Sequence, residues 1–252
     1  MSKIVLITGS TSGIGKATAE KFAEHGFDLI LCGRRKERLD ELSKTLSVKV
    51  DVETLVFDVR NKGEVEKSLN SLSEKWKSID VLINNAGNAH GLSSIDDGDI
   101  EDWDAMIDGN VKGLLYVSRT IIPWMVQRKA GHILNISSVA GKLTYERGAV
   151  YCASKKAVEA LSEGMRLDLT KHGIKITNIA PGAVETEFSE VRFKGDKEKA
   201  KKVYEGFEPL HAGDIADAIL YAVNAPDRVT IADVTIYAKA QASPTMIYRS
   251  TG

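Results

Sequence analysis
The sequence predicts a doubly wound parallel α/β sheet of about seven strands in three αβα layers. Three observations carry this reading. Short β-branched runs alternate with amphipathic stretches from end to end. A glycine-rich turn follows the first apolar run at once. The 252 residues, 43% of them hydrophobic, can bury one sizeable core, and no linker, repeat or low-complexity segment interrupts them. A single domain over 1–252 is expected.

The elements follow in order. Ile4–Thr8 reads as a buried strand. Lys16 to His25 reads as a helix, with Gly26 suited to its C-terminal cap. Further strands are expected near Leu29–Cys32, Thr54–Phe57, Val81–Asn84, His132–Ser137, Lys175–Ala180 and Val234–Tyr237. Leu39, Leu42 and Leu46 mark one intervening helix, and Val65, Leu69 and Leu72 the next. Ile107 to Met125 is a long apolar helix, ended near Pro123. Tyr151 to Lys171 is another. Asp214 is expected to cap a helix running to about Asn224. Between the sixth strand and that helix, Phe188 to Pro209 is an insertion. It carries Lys194, Asp196, Lys197, Glu198, Lys199, Lys201 and Lys202 among Phe193, Tyr204 and Phe207. It reads either as a solvated helical excursion or as a mobile lid, since ligands of open α/β sheets bind beyond the C-terminal ends of the strands.

Composition excludes several classes. Net charge is −1, so no nucleic-acid or polybasic membrane partner is expected. No apolar run approaches the ~18 residues of a membrane span. No basic leader precedes the strand at Ile4. Cys32 falls in a core strand and Cys152 beside Tyr151, so a structural disulfide is not expected and Cys152 reads as a small buried residue. A cytoplasmic location is expected. His90, His132, His172 and His211 lack metal-ligand spacing and His25 ends a helix, so no metal is expected.

Two motifs carry chemistry. Thr8-Gly9-Ser10-Thr11-Ser12-Gly13-Ile14-Gly15 links the first strand to its helix, an arrangement that points backbone N–H groups at an anion. Gly9 permits the tight turn, Gly13 lets backbone approach a pyrophosphate, and Gly15 lets the helix pack close to the strand. A G-x-x-x-x-G-K-[ST] phosphate loop fails here: its first glycine would fall on Ser10 and its final hydroxyl on Ala17. The second motif is Tyr151-Cys-Ala-Ser-Lys155. Tyr and Lys at i and i+4 share a helix face. A free phenol titrates near 10, about three units above the value that suits a general base. Closing that gap takes roughly 4 kcal/mol. A close ammonium, helped by a cationic cofactor ring, is a source.

The second strand identifies the cofactor. NAD-preferring folds place an acidic residue near its end to bond the ribose 2′-OH. Here Leu29-Ile30-Leu31-Cys32 runs into Gly33-Arg34-Arg35-Lys36, with no carboxylate before Glu37. Arginine grips a phosphate bidentately. NADP is expected, with Arg34 the stronger contact and Arg35 stacking on the adenine. Asp58 ends the third strand and reads equally as an adenine contact or a helix N-cap.

Taken together, these residues resemble the short-chain dehydrogenase/reductase family, through nearly the whole chain. Thr8-Gly9-x-x-x-Gly13-Ile14-Gly15 resembles the cofactor loop of that Rossmann-type family. Asn84-Asn85-Ala86-Gly87 resembles its N-N-A-G motif. Pro181-Gly182-Ala183-Val184-Glu185-Thr186 resembles its P-G-x-V-x-T segment, whose Thr holds the nicotinamide carboxamide. Asn110, Ser138, Tyr151 and Lys155 fall where the family keeps its catalytic tetrad. The choice of Ser138 over Ser137 rests on family spacing. Asp58 and Val59 match its adenine-edge position. The loop Glu187–Asp196 resembles the NADP-dependent 3-hydroxy acid dehydrogenase branch.

The resemblance implies hydride transfer between NADP and a small 3-hydroxy acid or the matching semialdehyde. Tyr151 would be acid or base, Lys155 would depress its pKa and hold the ribose, and Ser138 would orient the substrate oxygen. Asn110, disfavoured inside an apolar helix, would hold a proton-relaying water. It also favours the lid reading of 188–209. A carboxylate needs a cation near Tyr151, and Lys155 is committed. Arg192 on the lid is the first candidate and Arg147 the second, with Tyr145 in the same pocket. A homotetramer is expected, because the Ile107–Met125 helix is apolar around much of its circumference. The alternatives are a 3-oxoacyl-thioester or broad carbonyl reductase and, more remotely, a non-catalytic NADP-sensing regulator.

Overall fold
In the computed structural model, which describes residues 2–250, seven strands form one parallel sheet. Met1, Thr251 and Gly252 of the expected 1–252 domain lie outside the described residues. The strands are β1 (Ile4–Thr8), β2 (Asp28–Gly33), β3 (Val52–Val56), β4 (Val81–Asn84), β5 (Gly131–Ile136), β6 (Ile174–Pro181) and β7 (Asp233–Ile236). Their order is β3-β2-β1-β4-β5-β6-β7, so the winding reverses between β1 and β4. That crevice is where such sheets bind ligands. The helices are α1 (Gly13–Glu24), α2 (Lys36–Leu46), α3 (Lys62–Asn70), α4 (Glu74–Lys77), α5 (Ile100–Ile107), α6 (Gly113–Arg128), α7 (Val139–Lys142), α8 (Ala149–Leu169), α9 (Phe188–Arg192), α10 (Lys197–Lys202) and α11 (Ala212–Val223).

The doubly wound fold follows from alternation within buried strands. Val5 and Ile7 of β1 face one layer, packed with Phe22 of α1, Leu39 of α2 and Ile215 of α11. Ile4 and Leu6 face the other, packed with Val65 of α3 and with Val117 and Ile121 of α6. Gly26, at φ +75°, ends α1 as expected. Cys32 and Cys152 are both free and buried. Among the described residues, no helix is long and apolar enough to cross a membrane, and no cluster of His, Cys, Asp or Glu could hold a metal.

Three sequence expectations need correction. Pro123 does not end its helix: α6 continues to Arg128. Proline removes the bond to the carbonyl of Arg119, and both residues are exposed, so water can satisfy it. The stretch from Ile107 is also no single α-helix, because Asp108–Lys112 forms a π-turn between α5 and α6. Asp214 is not an N-cap. His211 takes that place, and the Asp214 carboxylate accepts from the His211 backbone N–H at 2.7 Å, the reciprocal half of a capping box. The tetramer argument also narrows. Leu114, Val117, Ile121 and Met125 are buried within one chain and Leu115 is 37% exposed, so this helix alone demands little cover from a partner.

His132 on β5 makes stability depend on pH. It is buried, with Nε2 2.7 Å from the Thr177 hydroxyl. Burial, reinforced by Lys175 and Lys3, lowers its pKa from 6.5 to about 3. The unfolded chain therefore takes up this proton below pH 6.5, and the folded chain refuses it until about pH 3. Stability is lost as pH falls through that window, by about 2 kcal/mol between pH 6.5 and 5. The thermal midpoint should fall between about pH 7 and pH 5, and His132→Asn should flatten the fall. An equal fall in that variant would assign the acid sensitivity to other groups.

Candidate active site
The C-terminal ends of β1, β4, β5 and β6 open into a cleft of about 700 Å³. It brings together Gly9, Thr11, Ser12, Gly13, Ile14, Arg34, Arg35, Asp58, Val59, Asn85, Ala86 and Gly87 with Ser138, Tyr145, Tyr151, Lys155, Pro181, Gly182, Val184, Thr186 and Arg192. These elements are far apart in sequence and meet because each follows a strand of one parallel sheet. Ser10, Gly15, Asn110 and Arg147 do not line this cleft. Ser10 is buried against β2, its N–H and hydroxyl both donating to the Cys32 carbonyl. Gly15 lies under the turn, where a Cβ would stand 2.3 Å from the Gly9 carbonyl oxygen. That contact is the close helix–strand packing the motif requires. Asn110 lies beneath the cleft floor. Arg147 is exposed on a small adjoining hollow with His90, Asp102 and Trp103, which shares Tyr151 and Arg192 with the cleft.

The four residues of the expected tetrad converge from three places in the chain. Ser138 lies two residues beyond β5 and caps α7, its oxygen accepting from the Ala140 N–H at 3.1 Å. The neighbouring hydroxyl is otherwise engaged: Ser137 donates to Glu159 at 2.5 Å. Both hydroxyls line the cleft, and Ser138, whose donor contact is a 3.4 Å reach to the Pro181 carbonyl, is the less tightly held of the two. Tyr151 and Lys155 share the inner face of α8, and both are buried. Asn110 sits in the π-turn, a device frequent at functional sites. It accepts from the Asn88 N–H at 2.7 Å and donates to the Asn88 carbonyl at 2.8 Å and the Ser154 hydroxyl at 3.0 Å. A Cβ on Gly87 would lie 2.9 Å from Asn110 Oδ1 and 3.3 Å from Lys155 Nζ, so both polar atoms crowd over that glycine.

The electrostatics differ from the expectation that Lys155 depresses Tyr151. Burial pushes the Tyr151 phenol above its ordinary value and Tyr145 adds to this, while the Ser138 hydroxyl and the Arg192 charge pull it down. Lys155 instead donates to the Ile136 carbonyl at 3.0 Å, and burial lowers its pKa to about 8. The polypeptide alone therefore keeps the phenol protonated.

The arginines after β2 have unequal roles. Arg34 is largely exposed, with one long contact of 3.4 Å to Asp58. Arg35 folds inward and donates to the Thr11 hydroxyl at 2.8 Å and the Ser12 hydroxyl at 2.8 Å. Its other nitrogen meets Glu187 at 3.0 Å, and Arg38 meets the same carboxylate at 2.7 Å. Asp58 is no N-cap, because Asn61 caps α3. Burial raises the Asp58 carboxyl, but bonds from Arg60 outweigh that and hold it below its usual range.

The insertion 188–209 forms α9 and α10 over the cleft. Arg192 ends α9 with its guanidinium 5.5 Å from the Tyr151 ring centre. Its Nε donates to the Gly91 carbonyl at 3.3 Å and one amino group to the Tyr145 hydroxyl at 3.0 Å. Three features escaped the sequence reading. Glu187, just before the insertion, pairs with Arg35 and Arg38. Glu159 binds Ser137. The C-terminal segment also reaches the cleft, where Gln241 accepts from the Ala183 N–H at 2.9 Å and Arg249 donates to the Val203 carbonyl at 3.0 Å. None of these has a local sequence signature, since each joins residues distant in the chain.

The fold and this cleft define a nucleotide-linked oxidoreductase, and the chain belongs to the short-chain dehydrogenase family, whose model matches residues 3–197. Two relatives and one solved structure are particularly similar. An NADP-dependent 3-hydroxy acid dehydrogenase of Salmonella typhi is 46% identical, covering 90% of this chain and 92% of its own. Sulfoacetaldehyde reductase 2 of Chromohalobacter salexigens is 42% identical, covering 96% of each. The closed form of serine dehydrogenase complexed with NADP+ superposes with a TM-score of 0.92 at 40% identity, covering 98% of this chain and 100% of that one.

Proposed function
We propose that this enzyme interconverts a small 3-hydroxy acid, such as serine, a threonine isomer or 3-hydroxypropionate, and the matching oxo acid or semialdehyde. The observation that carries this reading is Arg192, a cation held over the Tyr151 ring by the lid. A carboxylate beside the reacting hydroxyl would meet it there, and a planar fork suits a carboxylate.

The cofactor is NADP, and the cleft fits it. The α1 N-terminus supplies backbone N–H groups for a pyrophosphate. Arg34, the least engaged cation at the end of β2, is free to meet a 2′-phosphate. When bound, NADP would supply the hydride acceptor in oxidation and the donor in reduction. The chain's residues would do the rest. Ser138 would hold the substrate oxygen, Tyr151 would take or return its proton, and Lys155 would hold the ribose. Asn110, fixed to Asn88 and Ser154, would support a water leading from Lys155.

A panel of hydroxy acids, uncharged alcohols, sulfoacetaldehyde and acyl thioesters, each assayed with both cofactors, tests this. Hydroxy acids with NADP should give the highest kcat/KM. Arg34→Ala should erase most of the preference over NAD, since a charge-assisted bond is worth roughly 1.5–3 kcal/mol. Fastest turnover of acyl thioesters would transfer the assignment to a thioester reductase. An enzyme already faster with NAD would remove the role given to Arg34.

A further inference from the structure
Behind Ser138 lies a partly buried polar network that the reaction described above does not use. Glu159 is one turn beyond Lys155 on α8, and its side chain is 14% exposed. One carboxylate oxygen accepts from the Ser137 hydroxyl at 2.5 Å and from Asn178 Nδ2 at 3.0 Å. The other accepts from Lys142 Nζ. Lys142 also donates to Asp233 on β7 at 2.5 Å, and Asn178 donates to Asp233 at 2.7 Å.

The placement of these partners is informative. Ser137 immediately precedes Ser138, and Lys142 is the last residue of α7, the short helix that Ser138 caps. One carboxylate thus grips both ends of the segment carrying the candidate substrate-orienting hydroxyl. The segment is also pressed onto α8: a Cβ on Gly141 would stand 2.8 Å from the Lys155 carbonyl oxygen and 3.0 Å from Glu159 Cγ. We propose that Glu159 is a positioning residue that fixes Ser138 relative to Tyr151 by holding residues 137–142 against α8.

The donors that Glu159 holds each have a second acceptor, so its loss is expected to disturb placement more than stability. Without Glu159, Ser137 keeps a bond to the Ile179 carbonyl at 3.3 Å and Lys142 keeps Asp233. Asn178 Nδ2 keeps Asp233, so no donor that Glu159 held is left unpaired, the condition that makes such deletions costly. Placement is different, because a displacement of about 1 Å at a reacting group can cost 100-fold in rate. The inference rests on the tetrad reading of Ser138.

A double-mutant cycle with the holoenzyme tests it, using saturating NADP and the fastest alcohol of the panel. Glu159→Gln should lower kcat about 10- to 100-fold, while KM for NADP stays within about twofold and unfolding stays cooperative. In the Ser138→Ala background the same substitution should cost less than about twofold, because residues acting as a unit are not additive. Equal costs in both backgrounds would overturn the proposal. Wild-type kcat in Ser138→Ala alone would overturn the tetrad assignment itself, and this inference with it. Should Glu159→Gln fail to fold, Lys142→Met releases the other end of the segment and must show the same non-additivity.

Discussion

Tyr151→Phe should abolish turnover and leave cofactor affinity nearly unchanged. The substitution removes one oxygen and keeps the ring, which packs against Phe188 at 5.9 Å and under the Arg192 guanidinium. The fold and cleft walls therefore survive. The proton donor is lost, and positioned acid–base groups are worth about 100- to 10,000-fold in rate. Titration of the variant with reduced NADP, followed by nicotinamide fluorescence, should give a Kd close to wild type. A variant retaining a tenth of wild-type kcat would overturn the assignment of Tyr151.

Arg192→Ala should raise KM for hydroxy acids about tenfold or more, in keeping with the roughly 1.5–3 kcal/mol of a charge-assisted hydrogen bond. KM for uncharged alcohols of the same size should change little. The comparison is needed because Arg192 also ties the lid down, through the Gly91 carbonyl and the Tyr145 hydroxyl. Loss of those ties affects every substrate alike, whereas loss of an anion partner affects only anions. Equal increases for charged and uncharged substrates would reduce Arg192 to a lid fastener. Arg192→Lys separates charge from shape: it keeps the cation but loses the fork, and should recover part of the affinity.

Much of this was legible in the sequence because the signals are local. The Gly9–Gly15 turn lies beside the strand and helix it joins, and Tyr151 and Lys155 share one helix. The strands were readable within a residue or two because both sheet faces are buried, leaving short continuous apolar runs. The misses share a different cause. Pro123 reads as a helix stop unless its solvent exposure is known. The π-turn leaves no mark in a period-3.6 pattern except Asn110 itself. Sequence spacing does not report burial, which pushes the Tyr151 phenol up against the pull of Ser138 and Arg192 and leaves the rest of the lowering to the cofactor ring. Glu187, Glu159 and Gln241 act on partners from other strands and become visible only when the sheet is assembled.

The π-turn at Asp108–Lys112 sets a requirement on chain length. Each α-helical residue advances about 100° around the axis. The wider turn absorbs one residue more than an α-turn, so α5 and α6 run on with their faces out of phase. That offset lets Met106 of α5 face Tyr151 and Cys152 while Val117, Ile121 and Met125 of α6 face the sheet. Deleting one residue here would close the turn into a regular helix and rotate one side by about 100° relative to the other. Either Asn110 would swing away from Asn88 and Ser154, or the apolar stripe of α6 would turn off the core. A one-residue deletion between α5 and α6 is therefore expected to cost activity or stability, whatever side chains fill the interval.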